Sequence, residues 1–208
     1  MNIGNRLNKI IIISSPSGAG KTTICKYLLK KLKDVDFSIS YTTRQMRINE
    51  HNCKDYFFVN KNEFLKLRKK NFFIETAKVF NNYYGSPYQN IINSFAKNNK
   101  ILFDIDWQGA KKLRKKYPPD QIIDFFILPP NKKELKRRLE KRGRDNKKEI
   151  NIRLSLALTE MSHHTDYKFV LINDKINDTV TQLLNIINYN VLISELQFKV
   201  KKNLKNIK

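Results

Sequence analysis

The sequence is poor in the features that place a protein in a membrane or an oxidising compartment. No apolar run approaches the roughly 20 residues that a membrane-spanning helix needs, and the first such run, Ile10-Ile11-Ile12-Ile13, is short. The segment Met1 to Lys9 is polar and does not read as a secretory signal. Only two cysteines are present, Cys25 and Cys53, and they form no metal-binding spacing. A reduced, cytoplasmic protein with two ordinary thiols is therefore expected. Acidic residues are scarce as well, 19 against 41 Lys and Arg, for a net charge of +22. Such an excess can mark a nucleic-acid face. Here the lysines are scattered among Asn and Ile and read as compositional background, so no specific nucleic-acid role is expected. Nonspecific, salt-sensitive adhesion to polyanions is. There is no internal repeat. The remaining picture, 208 residues of which 40 % are apolar, suits one compact domain with one or two inserted subdomains.

Glycine is scarce too, six in all, and two of the six fall in one stretch, Ser14-Ser15-Pro16-Ser17-Gly18-Ala19-Gly20-Lys21-Thr22-Thr23. An apolar run precedes it, and a helical pattern with Ile24, Leu28, Leu29 and Leu32 follows. Strand, small-residue loop, helix is the context of a phosphate-binding loop. Gly18 and Gly20 can take backbone angles closed to other residues. The loop N–H groups then converge on an anion, aided by the helix dipole. Lys21 supplies a full charge, and the Thr22 hydroxyl can ligate magnesium. The usual pattern begins with glycine; here Ser15 holds that position. A plain Gly/Ser turn is the competing reading.

Strand and helix patterns alternate along the chain. Strands are expected at 9–15, 100–106, 122–128 and 168–173, and helices at 21–33, 107–116, 131–142, through about 162, and 176–194. Asp34 to Asp36 reads as a turn, and Phe37 to Tyr41 as a short strand. The block from about 38 to 88 is β-rich and looks inserted, with helical patterns at 61–70 and 88–98. Strands alternating with helices imply a parallel sheet covered on both faces, an α/β fold. Asp104 and Asp106 end one apolar strand as a Walker B strand does. Phe198 to Lys208 reads as a frayed tail. The adjacent His163 and His164 suit packing or capping, and Trp107 suits packing.

Several stretches together carry a resemblance. They are Ser40-Tyr41-Thr42-Thr43-Arg44-Gln45-Met46-Arg47, Asp55-Tyr56-Phe57-Phe58-Val59, Phe73-Ile74-Glu75, Asn82-Tyr83-Tyr84-Gly85-Ser86-Pro87, Asp104-Ile105-Asp106-Trp107-Gln108-Gly109, Arg138 to Arg144, and Val170-Leu171-Ile172-Asn173-Asp174. In order and spacing the chain resembles guanylate kinase of the bacterial type, from residue 9 to about 190. The resemblance implies a P-loop NTPase-type parallel sheet flanked by helices. The core would be 1–37, 99–130 and 149–195. A small β-rich GMP-binding subdomain would be 38–90, a helical lid 131–148, and a basic tail 196–208. It implies transfer of the γ-phosphate of ATP to GMP, giving ADP and GDP, with magnesium. dGMP is an expected further acceptor.

By resemblance, Ser15, Pro16, Ser17, Gly18, Ala19, Gly20, Lys21 and Thr22 would wrap the ATP phosphates, with Thr22 on the metal, and Asn173 would contact adenine. Arg44 and Arg47 would hold the GMP phosphate, assisted by the hydroxyls of Tyr56 and Tyr84. Guanidinium forks match phosphate oxygens and keep their charge. Glu75 would accept from the two adjacent donors on the guanine edge, with Ser40, Ser86 and Asp106 completing the recognition. Asp104 would belong to the GMP site as well, and Asp104 and Asp106 could position metal-bound water or substrate. Lys21, Arg138, Arg142 and Arg153 would stabilise the transferring group. Against AMP, Glu75 would lose its partners, and an unsatisfied buried group costs about 1–3 kcal/mol. Met46, Asn49 and Cys53 also depart from the family pattern, with a bearing on affinity and rate. Two other readings stand beside the enzyme: a catalytically silent guanylate-kinase-like module that binds phosphopeptides, and a nucleotide-binding regulator of RNA. The assembly state, homodimer included, is left open by the sequence.

Overall fold

The computed structural model describes residues 8–79, 81–141 and 147–206. In chain order the elements are β1 (Ile10–Ser14), α1 (Lys21–Lys31), β2 (Val35–Phe37), β3 (Tyr41–Thr42), β4 (Phe57–Phe58), α2 (Lys61–Lys69), β5 (Phe73–Val79), β6 (Asn82–Pro87), α3 (Tyr88–Ala96), β7 (Lys100–Asp104), α4 (Trp107–Lys116), β8 (Ile122–Leu128), α5 (Lys132–Lys141), α6 (Lys147–Met161), β9 (Phe169–Ile172) and α7 (Ile176–Asn206). Among the described residues no helix is long and apolar enough to cross a membrane.

The core is a five-stranded parallel sheet in the order β2-β7-β1-β8-β9. Strands covered on both faces are apolar at successive positions, and β1 is buried at every residue. Alternate side chains serve opposite faces. Ile11 and Ile13 pack with Ile24 and Leu28 of α1 and with Val180, Leu183 and Ile187 of α7. Ile10 and Ile12 pack with Ile91 of α3 and with Ala110 and Leu113 of α4. The central strand thus carries α1 and α7 on one side and α3 and α4 on the other.

Residues 41–87 contain a second sheet of four strands, in the order β4-β3-β6-β5. Its aromatic side chains interlock: Tyr41 stacks on Phe57 at 4.6 Å between ring centroids, and Phe64 of α2 stacks on Phe73 at 4.7 Å. A third small core joins Leu135 and Leu139 of α5 to Ile150, Leu154 and Ala157 of α6.

Three elements differ from the sequence expectation. The strand expected from Phe37 to Tyr41 is split, because Phe37 ends β2 in the core sheet, Tyr41 begins β3 in the second sheet, and residues 38–40 link the two. The expected turn at Asp34 to Asp36 is confined to Asp34, with φ 56°, because Val35, Asp36 and Phe37 pair with β7 as the outer strand of the core sheet. At the other end, α7 runs on to Asn206 rather than fraying from Phe198. That stretch contains no glycine or proline, and its Leu and Lys are good helix formers.

Candidate active site

Ligands of open α/β sheets bind beyond the carboxyl ends of the strands, where neighbouring connections diverge. Here β1 lies between β7 and β8, and residues 15–20 leave its carboxyl end. Gly18 and Gly20 both have φ 97°, in the left-handed region that favours glycine. Space matters as much as torsion. A Cβ on Gly18 would meet Leu135 Cδ1 at 2.8 Å, and one on Gly20 would meet Asn173 Nδ2 at 2.6 Å. Helix α1 has no acid in its first turn, so its positive end is left to an anion.

The loop is braced from behind. Asn173 Nδ2 donates to the Ala19 carbonyl at 2.8 Å, and Arg138 donates to Asn173 O at 2.9 Å and Ala19 O at 3.4 Å while its Nε meets Glu134 at 2.8 Å. Arg138 and Asn173 therefore stand behind the loop rather than on the wall of the cleft in front of it. Lys21 Nζ donates to Ile105 O at 3.0 Å and pairs with Asp104 at 2.9 Å. Burial pulls the Lys21 pKa down, but the Asp104 carboxylate more than offsets this and holds it above the usual lysine value. Thr22 Oγ1 lies 3.4 Å from the other oxygen of Asp104.

Facing this loop, Arg44 forms a two-pronged pair with Glu50 at 2.7 and 2.8 Å. Its guanidinium lies 5.2 Å from the Tyr56 ring centroid and 5.4 Å from that of Phe58. Glu50 also accepts from the Arg47 amide at 2.9 Å. Burial alone would raise the Glu50 pKa; the arginine bonds win and hold it low. The Tyr56 and Tyr84 rings meet edge-on at 6.0 Å. Burial, then the nearby Asp104 charge, push the Tyr56 pKa up, so it stays a hydroxyl donor.

Deeper in, Ser86 Oγ donates to Glu75 Oε1 at 2.6 Å and lies 2.9 Å from Ser40 Oγ. A hydroxyl has one proton, so with Glu75 ionised the donors run from Ser40 to Ser86 to Glu75. Glu75 is 3 % exposed. Burial raises its pKa to about 7, against the Ser86 hydrogen bond and with help from Asp106. Asp106 caps α4 through the Gly109 amide at 3.0 Å and accepts from Gln108 at 2.9 Å.

These parts converge on one cleft. Ser15, Pro16, Ser17, Lys21 and Thr22 form one wall, and Ser40, Arg44, Arg47, Tyr56, Glu75 and Tyr84 form the opposite one. Asp104 and Asp106 lie between them, and Arg153 and Glu160 of α6 complete the lining. Ser86 stands directly behind Glu75. Arg142 lies outside the described residues.

Two acids here have roles that the sequence did not assign, although Glu160 lies in a stretch, Glu160 to His164, that shares the family resemblance. Glu160 accepts from the Ser17 amide of the loop at 3.1 Å; burial raises its pKa, and that bond and Lys21 oppose the rise. It follows Arg153 by two helical turns, so the spacing puts both on one face of α6. Glu50 was legible only as a lone acid in a basic segment. His163 and Trp107 do pack, their rings stacked at 3.7 Å, and His164 Nδ1 lies 2.8 Å from the Met161 carbonyl at the end of α6.

Residues 7–190 match the family described as guanylate kinase. The chain is 44 % identical over 178 residues to the guanylate kinase of Rickettsia bellii, covering 86 % of this chain and 92 % of that protein. It is 43 % identical over 180 residues to the guanylate kinase of Escherichia coli K12, covering 86 % of each. The crystal structure of guanylate kinase from Anaplasma phagocytophilum superposes with a TM-score of 0.74 at 34 % identity, covering 90 % of this chain and 88 % of that one. With a family match over most of its length and relatives this similar, the chain belongs to the guanylate kinase family.

Proposed function

We propose that this chain transfers the γ-phosphoryl group of ATP to GMP, giving ADP and GDP. The observation that carries this reading is the meeting of two anion cradles in one cleft, Lys21 with its loop on one wall and Arg44 and Arg47 on the other. Phosphoryl transfer asks little covalent chemistry of a protein. It asks for alignment and for cations around the equatorial oxygens.

In this reading residues 15–22 wrap the β- and γ-phosphates, and Lys21 turns from Asp104 toward their oxygens. Arg44 and Arg47 exchange the Glu50 carboxylate for the GMP phosphate, which offers the same fork-shaped pair of oxygens. Tyr56 and Tyr84 donate to that phosphate as well. Glu75 accepts from N1–H and the exocyclic amine of guanine, with Ser40, Ser86 and Asp106 around the base. Adenine lacks that donor pair, and a site built on hydrogen bonds rejects such an analogue strongly. Arg153 reaches the cleft from α6, outside the lid, and Arg142 belongs to the lid segment 131–148, which closes over the transferring group and excludes water. Arg138 and Asn173 hold the loop in shape, with Asn173 toward the adenine side.

Magnesium fits the donor set. Thr22 Oγ1 and the Asp104 carboxylate are hard oxygens 3.4 Å apart. Magnesium keeps water and substrate phosphate as most of its ligands, so one hydroxyl and one carboxylate are enough from the protein. Thr22 would ligate it and Asp104 would orient its water, and the ion would neutralise phosphate charge. A coupled ADP-release assay with GMP, AMP, dCMP and UMP as acceptors tests the reading. GMP-stimulated turnover supports it; no turnover with any acceptor marks a binding module instead.

A further inference from the structure

Strand β5 is an outer strand of its sheet, bonded to β6 on one side only. An outer strand presents unpaired carbonyls, which proteins cover with a packed helix or with charged side chains. Helix α4 supplies both. Residues 109, 112 and 116 are spaced by three and four and share one stripe of that helix. Gly109 lets the carboxylate come close: a Cβ there would meet Glu75 Oε2 at 2.7 Å. Lys112 Nζ donates to the Thr76 carbonyl and lies 3.3 Å from the Thr76 hydroxyl. Lys116 Nζ donates to the Ile74 carbonyl at 2.7 Å and to Tyr88 Oη at 2.5 Å. The two ammonium groups thus take the carbonyls of the residues just before and just after Glu75. From the other strand, Ser86 Oγ holds the carboxylate at 2.6 Å.

We propose that α4 sets the guanine selectivity of the cleft through Lys112 and Lys116, two positioning residues that fix the backbone on either side of Glu75. The inference rests on the reading of Glu75 as the acceptor for the guanine edge. Neither lysine lines the cleft; each acts through the strand. Two parallel hydrogen bonds to a base edge tolerate little displacement of the carboxylate, and a glutamate side chain alone does not fix its own aim. Charge adds to position. The charged groups that face Glu75 are Asp106, which favours its protonated form, and Lys112, which favours its ionised form. Without Lys112 the proton competes better with guanine.

The test is GMP and ATP binding by titration calorimetry across the neutral pH range, on the parent chain, K112M, K112R, K116M and E75Q. K112M weakens GMP binding by about tenfold, the loss expected for one charge-assisted hydrogen bond. It also moves the pH below which GMP binding fails upward, and leaves ATP binding in place; K112R restores both. K116M weakens GMP binding without moving that pH. The second ionisation of the GMP phosphate is common to every variant. The inference is overturned if folded K112M and K116M bind GMP as the parent does while E75Q has lost it, or if K112M loses GMP and ATP alike. E75Q binding GMP as the parent does overturns the reading of Glu75 itself.

Discussion

Replacing Gly109 by alanine separates selectivity from stability, because the two respond with opposite sign. Gly109 lies in the first turn of α4 with ordinary helical torsions, and alanine there improves helix propensity by up to about 1 kcal/mol. The new methyl would lie 2.7 Å from Glu75 Oε2 and 3.1 Å from its Cδ. Carbon and oxygen settle near 3.5 Å, so the carboxylate must retreat by about 0.8 Å. A bond of 2.6 Å to Ser86 Oγ stretched by that amount is at the limit of a hydrogen bond, and one to guanine is lost. One lost bond to a charged group is worth about 1.5–3 kcal/mol, or a factor of about 10 to 150 in affinity. Calorimetric GMP titration and thermal unfolding of Gly109→Ala read the two effects. The expected result is GMP affinity down by at least about tenfold, ATP affinity held, and an unfolding midpoint no lower than the parent's. A variant that melts like the parent and still binds GMP at parental affinity refutes the assignment of Glu75 to guanine.

Other outcomes follow from the same geometry. With a Glu75 pKa of about 7 in the free protein, a proton competes with guanine, so GMP affinity falls about tenfold per unit below pH 7, read by titration at several pH values. The folded state binds that proton more tightly than the unfolded chain, so ionising Glu75 weakens folding as pH rises from about 4.5 to about 7. E75Q should remove that slope and melt higher than the parent at alkaline pH, by at most about 3 kcal/mol, while losing GMP selectivity. Arg44→Met should raise the GMP requirement severely in steady-state kinetics with the fold retained, and Lys21→Ala should abolish phosphoryl transfer. Away from the cleft, Arg114 pairs with the buried Asp124 at 2.8 Å; Arg114→Met strands that charge and should cost about 3–5 kcal/mol in urea unfolding.

The phosphate loop was legible because its chemistry is local: two glycines, a lysine and a threonine at fixed spacing after an apolar strand need no distant partner to be recognised. The strand-by-strand core was legible for a similar reason, since continuous apolar runs such as Ile10 to Ile13 belong to sheets covered on both faces. Glu50 and Glu160 were not, because an acid's role depends on which amide or guanidinium the fold brings to it. Glu160 meets an amide 143 positions earlier in the chain. Lys112 and Lys116 were hidden among the other basic residues of their helix. Their partners are backbone carbonyls, which leave no trace in side-chain composition. Cys53, which the family resemblance marks as standing in place of a glycine, does sit at φ 64°.

The most direct measurement follows the phosphoryl group itself. With ATP labelled at the γ-phosphate, magnesium and GMP, all transferred label should appear at the β-phosphate of GDP, and none should appear when AMP replaces GMP. Label released as inorganic phosphate with GMP left unchanged would contradict a cleft in which two cradled nucleotides exchange that group directly.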